Sequence, residues 1–551
     1  MQTKTLKTDV LIVGAGPVGL TLAMTLAARG LQVLVAEQRQ RGEPPEVKCN
    51  HISARSMEVL RRLGVAAKLR AAGLPEDYPN DISYRTTTTG TEITRIRIPC
   101  RRDRYTDTSG PDGWWPTPEP PHRINQLFIE PIMFAHAEAQ PGLTILNSTR
   151  IEGFEQSASE VFAQASDLAS GESFAIEARY LVGCDGGRSA VRKAIGASLV
   201  GDAVVQRVQS SYIRAPGLIA ALQSPPAWAM FSLNPVRSGN IYAIDGRETW
   251  LVHNYLRDDE PDFESVDRDW ALRAIMGVGP DFEFNIISKE DWFGRRLVAD
   301  KFRDRRVFIC GDAAHLWVPY AGYGMNAGIA DAENLGWLLA ARLLGWGGEG
   351  VLDAYEAERL PITEQVSRFA MNHAHEMARR RRAVPAGLDG TGPEAEALRA
   401  QVGQDIYDLN VQQYCCAGLN FGYYYDNSPL IAYDGEAAPE YGMGSFTPST
   451  APGCRVPHLW LDDGRSLYDA LGQGYALLRG DPGMDVQALL DAAAAKGVPL
   501  ALVDLPARDR PTEYRHKLLL ARPDGQVAWR GDSIDAAQAK ALIATVRGAA
   551  Q

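Results

Sequence analysis

Short apolar runs that end abruptly in glycine organise this chain. Asp9-Val10-Leu11-Ile12-Val13 leads into Gly14-Ala15-Gly16-Pro17-Val18-Gly19, and an apolar stretch of helical length follows over 20–29. That order predicts a buried strand, a tight turn and a helix, closed by Gly30 and followed by a second strand over 31–36. The transition recurs twice. Leu181-Val182-Gly183-Cys184-Asp185-Gly186 and Phe308-Ile309-Cys310-Gly311-Asp312 each pass from apolar residues into glycine plus an acid. Helical patterning marks 51–63, 126–139, 190–195, 267–276 and 327–344, with another helix from about 353. Alternation over 93–98 and short β-rich segments from 205 to 256 predict one antiparallel sheet. Residues 101–123 form a long loop, in which Trp114 and Trp115 are as suited to covering a ligand as to packing on the surface. A connector is expected over 383–400. From about 430 the pattern becomes strand, helix, strand, hairpin and helix, that of a small α/β domain.

The first turn carries the chemistry. Gly14 permits the turn, Gly16 lets backbone approach a pyrophosphate, and Gly19 lets helix and strand pack closely. Pro17 lies in the same cofactor-binding turn, and the free N–H groups at the start of the following helix face negative charge. Glu37 ends the second strand, 21 residues after Gly16, where a carboxylate binds a ribose hydroxyl and disfavours a 2′-phosphate. The nucleotide expected is FAD or NAD rather than NADP. In an open α/β sheet the carboxyl ends of the strands share one crevice, so the turns at Gly14, Asp185 and Asp312 are expected to meet around one extended cofactor. Taken singly, Asp185 or Asp312 could equally be a helix cap after a glycine turn.

Composition narrows the partners. The 551 residues carry a formal net charge of −11, which argues against nucleic acid. The longest apolar candidate, 335–344, is broken by arginine and glycine, so no membrane span is expected. The polar start runs straight into the first strand, and seven scattered cysteines show no CxxC or metal-ligand spacing. Free thiols, no bound metal and a cytoplasmic location are therefore expected.

The three motifs together resemble the class A flavoprotein aromatic hydroxylases, and within them the phenol, dichlorophenol and 2-hydroxybiphenyl hydroxylases. The resemblance rests on Gly14-x-Gly16-x-x-Gly19, on Asp185-Gly186, and on Gly311-Asp312-Ala313-Ala314-His315 with Pro319-x-x-Gly322-x-Gly324-Met325-Asn326; it extends from 9 to about 365. It implies an α/β protein with a Rossmann-like FAD-binding domain, an inserted antiparallel β-sheet substrate domain and a C-terminal thioredoxin-like domain. The expected divisions are 1–80, 106–200 and 296–400 for FAD, 81–105 and 201–295 for substrate, and 430–551 for the tail, which lacks a CxxC pair and is expected to be redox-inert. Glu37 is implied for the adenosine ribose, Asp312 for the ribityl chain or pyrophosphate, Gln126 for the flavin side, and the loop from Pro319 to Asn326 for the isoalloxazine. Asp185 falls where the family couples FAD to the reducing nicotinamide. NADH or NADPH is expected to bind transiently, because the chain has only one glycine fingerprint. A homodimer is compatible with the resemblance.

The implied reaction is hydroxylation of an aromatic, phenolic substrate with O2 through a flavin C4a-hydroperoxide, for which the protein supplies a base and a dry pocket. The base position of the relatives falls on Asn50, and the histidine lies one residue later, at His51. His51 is as suited to the base role as to capping the next helix. His315 is expected to order the flavin loop. Tyr212, Trp228, Tyr242 and His253 lie on the expected substrate sheet and read first as packing. Trp114, Trp115, Tyr320 and Tyr323 suggest an aromatic pocket. A Baeyer–Villiger-type monooxygenase acting on a ketone or quinone, and a non-catalytic flavin-binding protein, are the alternatives.

Overall fold

The computed structural model describes residues 4–549 apart from 114, 319–321 and 507, so the expectations placed on Trp114, Pro319 and Tyr320 lie outside the described residues. One sheet is built on parallel strands. Its core order is Val307–Ile309, Ser173–Gly183, Thr5–Val13, Val33–Ala36 and Leu143–Leu146, and the hairpin of Thr149–Gln156 and Val161–Asp167 joins Ser173–Gly183 from outside. Val10, Leu11 and Ile12 are fully buried, as expected of a central strand covered on both faces. The helices Pro17–Ala27 and Tyr323–Leu343 pack against each other over this sheet.

A second sheet runs His315–Trp317, Asn285–Ala299, Leu199–Arg214, Thr249–Tyr255, Gly239–Ala243, Ala229–Ser232, Ile82–Arg85 and Glu92–Ile96. Its neighbours are antiparallel except Ala229–Ser232 and Ile82–Arg85, which run parallel. The chain leaves the first sheet at Ile309 and enters the second at His315, so the intervening residues tie the two sheets together. A third sheet, ordered Leu500–Asp504, Tyr475–Arg479, Leu518–Ala521 and Val527–Gly531, forms the tail with the helices Gln487–Ala494 and Ala536–Val546.

Two segments differ from the sequence reading. The helix expected over 327–344 begins at Tyr323, because Gly322 adopts φ +61° as its N-cap and turns the chain into the helix four residues early. Gly324, Met325 and Asn326 are therefore helical, where the glycine spacing suggested loop. The helix Pro393–Tyr414 also starts inside the expected connector. Pro393 occupies its first turn with Glu394 and Glu396, a favourable start that the surrounding glycine and alanine obscured.

Candidate active site

Strand register brings the three turns together. Val13 pairs with Ala36 and with Gly183, and Gly183 pairs with Ile309, so four parallel strands end in one row. Gly14, Glu37, Cys184-Asp185 and Gly311-Asp312 all leave from that row. Gly14 (φ +105°) folds the chain so tightly that an added Cβ would lie 2.4 Å from the Cys184 carbonyl oxygen. Gly19 packs against Gly14 in the same way. Gly16 differs: an added Cβ would meet nothing within 4 Å. It caps the helix Pro17–Ala27, whose first turn has no side-chain cap and no acidic residue. Bare N–H groups thus face open space, the cradle a dinucleotide pyrophosphate fits.

Glu37 is buried at the rim, where its carboxylate accepts from the Ala15 N–H at 2.8 Å and from the Arg39 N–H at 3.0 Å. Burial opposes its ionisation, but the hydrogen bonds and charge of Arg39 outweigh it and hold the carboxyl below the usual range. Asp185 caps the helix Ala190–Ala194 through Oδ2, which accepts from the Ala190 N–H at 2.8 Å; its Oδ1 is buried without a partner. Gln126 opens the helix Gln126–Glu138 and donates from Nε2 to Glu130 Oε2 at 3.0 Å. Its backbone N–H holds the 48–49 segment, but its side chain is not on the wall described next.

A cavity of about 300 Å³ lies between the cofactor turns and the second sheet. Asp312, His315, Gly322, Gly324 and Met325 line the side of the turns. Trp228, Phe231, Tyr242, Leu251, His253 and Trp292 line the side of the sheet. Asn50, His51, Gln413 and Tyr414 complete the lining. Trp228, Tyr242 and His253, which the sequence suggested as packing, therefore face the cavity. Tyr212 lines a neighbouring hollow instead. Tyr323 is turned away into a separate apolar cluster and donates to the Leu419 carbonyl. Trp115 packs edge-on against Phe421 and donates to Asp112 at 3.1 Å, so it braces its loop rather than covering the cavity.

His51 is 3% exposed, and its Nδ1 has no hydrogen-bond partner. Burial, with Arg123 and Arg104 nearby, pushes it well below the usual imidazole range, so it is neutral at working pH. The turn leading to it places Cys49 at φ +54°, a conformation L-residues adopt only when their surroundings impose it. Asn50 accepts a hydrogen bond from Asn125. His253 is likewise held neutral, at about 4, by burial. Glu290, also on the wall, is pushed up to about 7, first by burial. His315 Nε2 meets Asp331 Oδ2 at 2.7 Å, Arg359 holds the other oxygen at 2.8 Å, and the imidazole stacks on Trp317 at 4.6 Å. That triad orders the segment joining the two sheets. Among the described residues no cluster could hold a metal ion, and no helix is long and apolar enough to cross a membrane.

The FAD binding domain family model matches residues 7–370, and the model for the C-terminal domain of aromatic-ring hydroxylases matches 449–550. The chain belongs to the class A flavoprotein aromatic hydroxylases. This hydroxylase is 30% identical to an FAD-dependent monooxygenase of Emericella nidulans over 98% of its own length and 90% of the relative's. It is 28% identical to the phenol 2-monooxygenase of a Pseudomonas species, covering 99% and 93%. Among solved structures, the rebeccamycin biosynthetic enzyme RebC with reduced flavin superposes with a TM-score of 0.88 at 35% identity, covering 99% and 100%. Aklavinone-11 hydroxylase with FAD and aklavinone gives 0.80 at 27%, covering 98% of each chain. The hydroxylase is thus an FAD-dependent monooxygenase of an aromatic substrate, with NAD(P)H as reductant.

Proposed function

We propose that the cavity between Asp312 and the aromatic face of the second sheet holds a phenolic ring, and that the His51 imidazole takes the phenol proton. The observation that carries this reading is the buried, neutral His51 on the wall of an aromatic-lined cavity beside the cofactor turns. A neutral imidazole with a free ring nitrogen is an acceptor, and a phenol that loses its proton becomes nucleophilic at its ortho and para carbons. FAD, when bound, would pass the electrons of NAD(P)H to O2 and so supply the activated oxygen.

The chain's own residues do the rest. Gly16 and the bare helix start would hold the pyrophosphate, Glu37 the ribose, and Asp312 with Gly311 the linker toward the ring. Gly322, Gly324 and Met325 offer backbone to the flavin ring. Asp185 would lie on the path by which nicotinamide reduction couples to cofactor position, and Gln126 would brace the 48–51 turn. Trp228, Phe231, Tyr242 and Trp292 exclude water and orient the flat substrate through ring contacts. The proposed division into an FAD domain, a substrate domain and a tail places this cavity at the seam of the first two.

The test is direct. The purified chain is titrated with FAD, and NADH and NADPH oxidation is followed with and without phenols, polycyclic phenols and N-heterocycles. Oxidation stimulated by a phenol, with a 16 Da product gain, supports the reading. A colourless protein after incubation with excess FAD, or oxidation indifferent to every phenol, contradicts it.

A further inference from the structure

Arg123 is a buried guanidinium that, among the described residues, makes no ion pair with a carboxylate. It is 5% exposed and lines the cavity, with its guanidinium carbon 4.2 Å from the centre of the Trp228 ring and 5.9 Å from that of Tyr414. Among the described residues it has no hydrogen-bonded carboxylate. Asp112 is the acid that acts on it, but the Asp112 carboxylate is ion-paired with buried Arg104 at 2.7 Å. Two buried guanidinium groups, Arg104 and Arg123, thus share one carboxylate, which leaves the cluster one positive charge in excess. The acids of the cavity wall, Asp312 and Glu290, make no ion pair with it, and His51 and His253 are neutral.

We propose that Arg123 seats a carboxylate carried by the aromatic substrate, so that the enzyme acts on aromatic acids. A guanidinium laid over an indole keeps its N–H edge free, and that planar fork matches the two oxygens of a carboxylate. A carboxylate is ionised at any working pH and offsets the buried charge permanently, whereas a phenol, with a pKa near ~10, is neutral there. The seat also bears on the base. Arg123 is the first of the charges that hold His51 neutral, so a carboxylate docked on it strengthens His51 as a proton acceptor when substrate is in place.

This inference rests on the cavity being the substrate site. FAD-loaded protein at pH 7.5 is titrated with 2-naphthoate, 2-naphthol and 2-naphthalenemethanol, reading tryptophan fluorescence and the flavin spectrum. The expected result is that naphthoate binds about tenfold or more tightly than either neutral probe, the scale of a charge-assisted contact. Arg123→Gln should remove that preference while leaving the neutral probes within about twofold, and Arg123→Lys, which keeps the charge without the fork, should fall between. Equal affinity of the parent for naphthoate and naphthalenemethanol overturns the proposal, as does a preference that survives in both variants or tightest binding of naphthol. The parent comparison decides the matter even where a variant does not fold. Failure of the hydroxylase reading looks different: FAD would not bind, or no aromatic would stimulate NAD(P)H oxidation.

Discussion

Asn326 clips His51 to the helix that starts beside the cavity. Its Nδ2 donates to the His51 carbonyl at 3.1 Å, and its Oδ1 accepts from the Ser53 N–H at 2.8 Å. Gly322 lies against the same histidine, where an added Cβ would stand 3.2 Å from the His51 Cβ. Asn326→Ala leaves a buried carbonyl and N–H unpaired, so thermal unfolding should show a loss of about 1–3 kcal/mol. Turnover should fall more than affinity for FAD, because the clip fixes the imidazole and not the nucleotide. A variant with parental turnover would show that His51 needs no such positioning.

His51→Gln should lower turnover on a phenol by about 100-fold or more, the scale of a lost general base, with the flavin spectrum unchanged. Raising the pH toward ~10 should restore part of the rate, since the phenol then ionises without help. A pH profile parallel to that of the parent would assign the base to another group.

Gly14 and Gly16 should separate folding from cofactor binding. Gly16→Ala adds a methyl to open space at φ −70°, so the fold should survive while FAD affinity drops by about tenfold or more, ~1.4 kcal/mol. Gly14→Ala meets both a left-handed φ, worth about 1–2 kcal/mol, and a carbonyl oxygen at 2.4 Å, and should fail to fold stably. Calorimetric titration with FAD and melting curves read the two effects. Undiminished FAD binding by Gly16→Ala would remove the pyrophosphate from that cradle.

Arg522 ties the tail to the body of the protein. It is fully buried, with its two terminal nitrogens 2.6 and 2.8 Å from the carboxylate of Glu358 and one of them 2.7 Å from Asp524. Arg522→Ala leaves two buried carboxylates without their cation and should cost about 3–5 kcal/mol. Limited proteolysis should then release fragments cut near residue 430. A parental melting temperature would mean the tail is held mainly by apolar contacts.

His253 supplies a pH dependence with a definite sign. Burial lowers its folded pKa to about 4, so between the unfolded value of ~6.5 and 4 the unfolded chain binds a proton the folded chain refuses. The folded state therefore loses up to about 1.4 kcal/mol per pH unit through this residue as pH falls across that window. His253→Phe should be less sensitive to acid, and its stability difference from the parent should shift in the variant's favour from pH 6.5 to 4.5. A difference independent of pH would show that His253 titrates alike in both states.

Much of the cofactor frame was legible in the sequence, because strand-to-glycine transitions are local signals that register then aligns: Val13, Ala36, Gly183 and Ile309 end in one row. The start of the helix at Tyr323 was not, since glycines punctuate loops and helix starts alike, and nothing local marks Gly322 as the residue that turns with a positive φ. The substrate wall was least visible. Arg123, Trp292 and Tyr414 come from a loop, a long strand and a helix end, and no periodicity distinguishes a cavity-facing aromatic from a packed one. The signal available for Arg123 was a charge three residues before Gln126, which gains meaning only once its burial is known.

Incorporation of oxygen from 18O2 tests the central claim most directly. With FAD, NAD(P)H and a turned-over phenol, the product should carry one 18O on the ring, with label in product matching reductant consumed in the coupled fraction. Unlabelled product, or reductant consumed with all the oxygen appearing as peroxide for every aromatic tried, would contradict a ring hydroxylase.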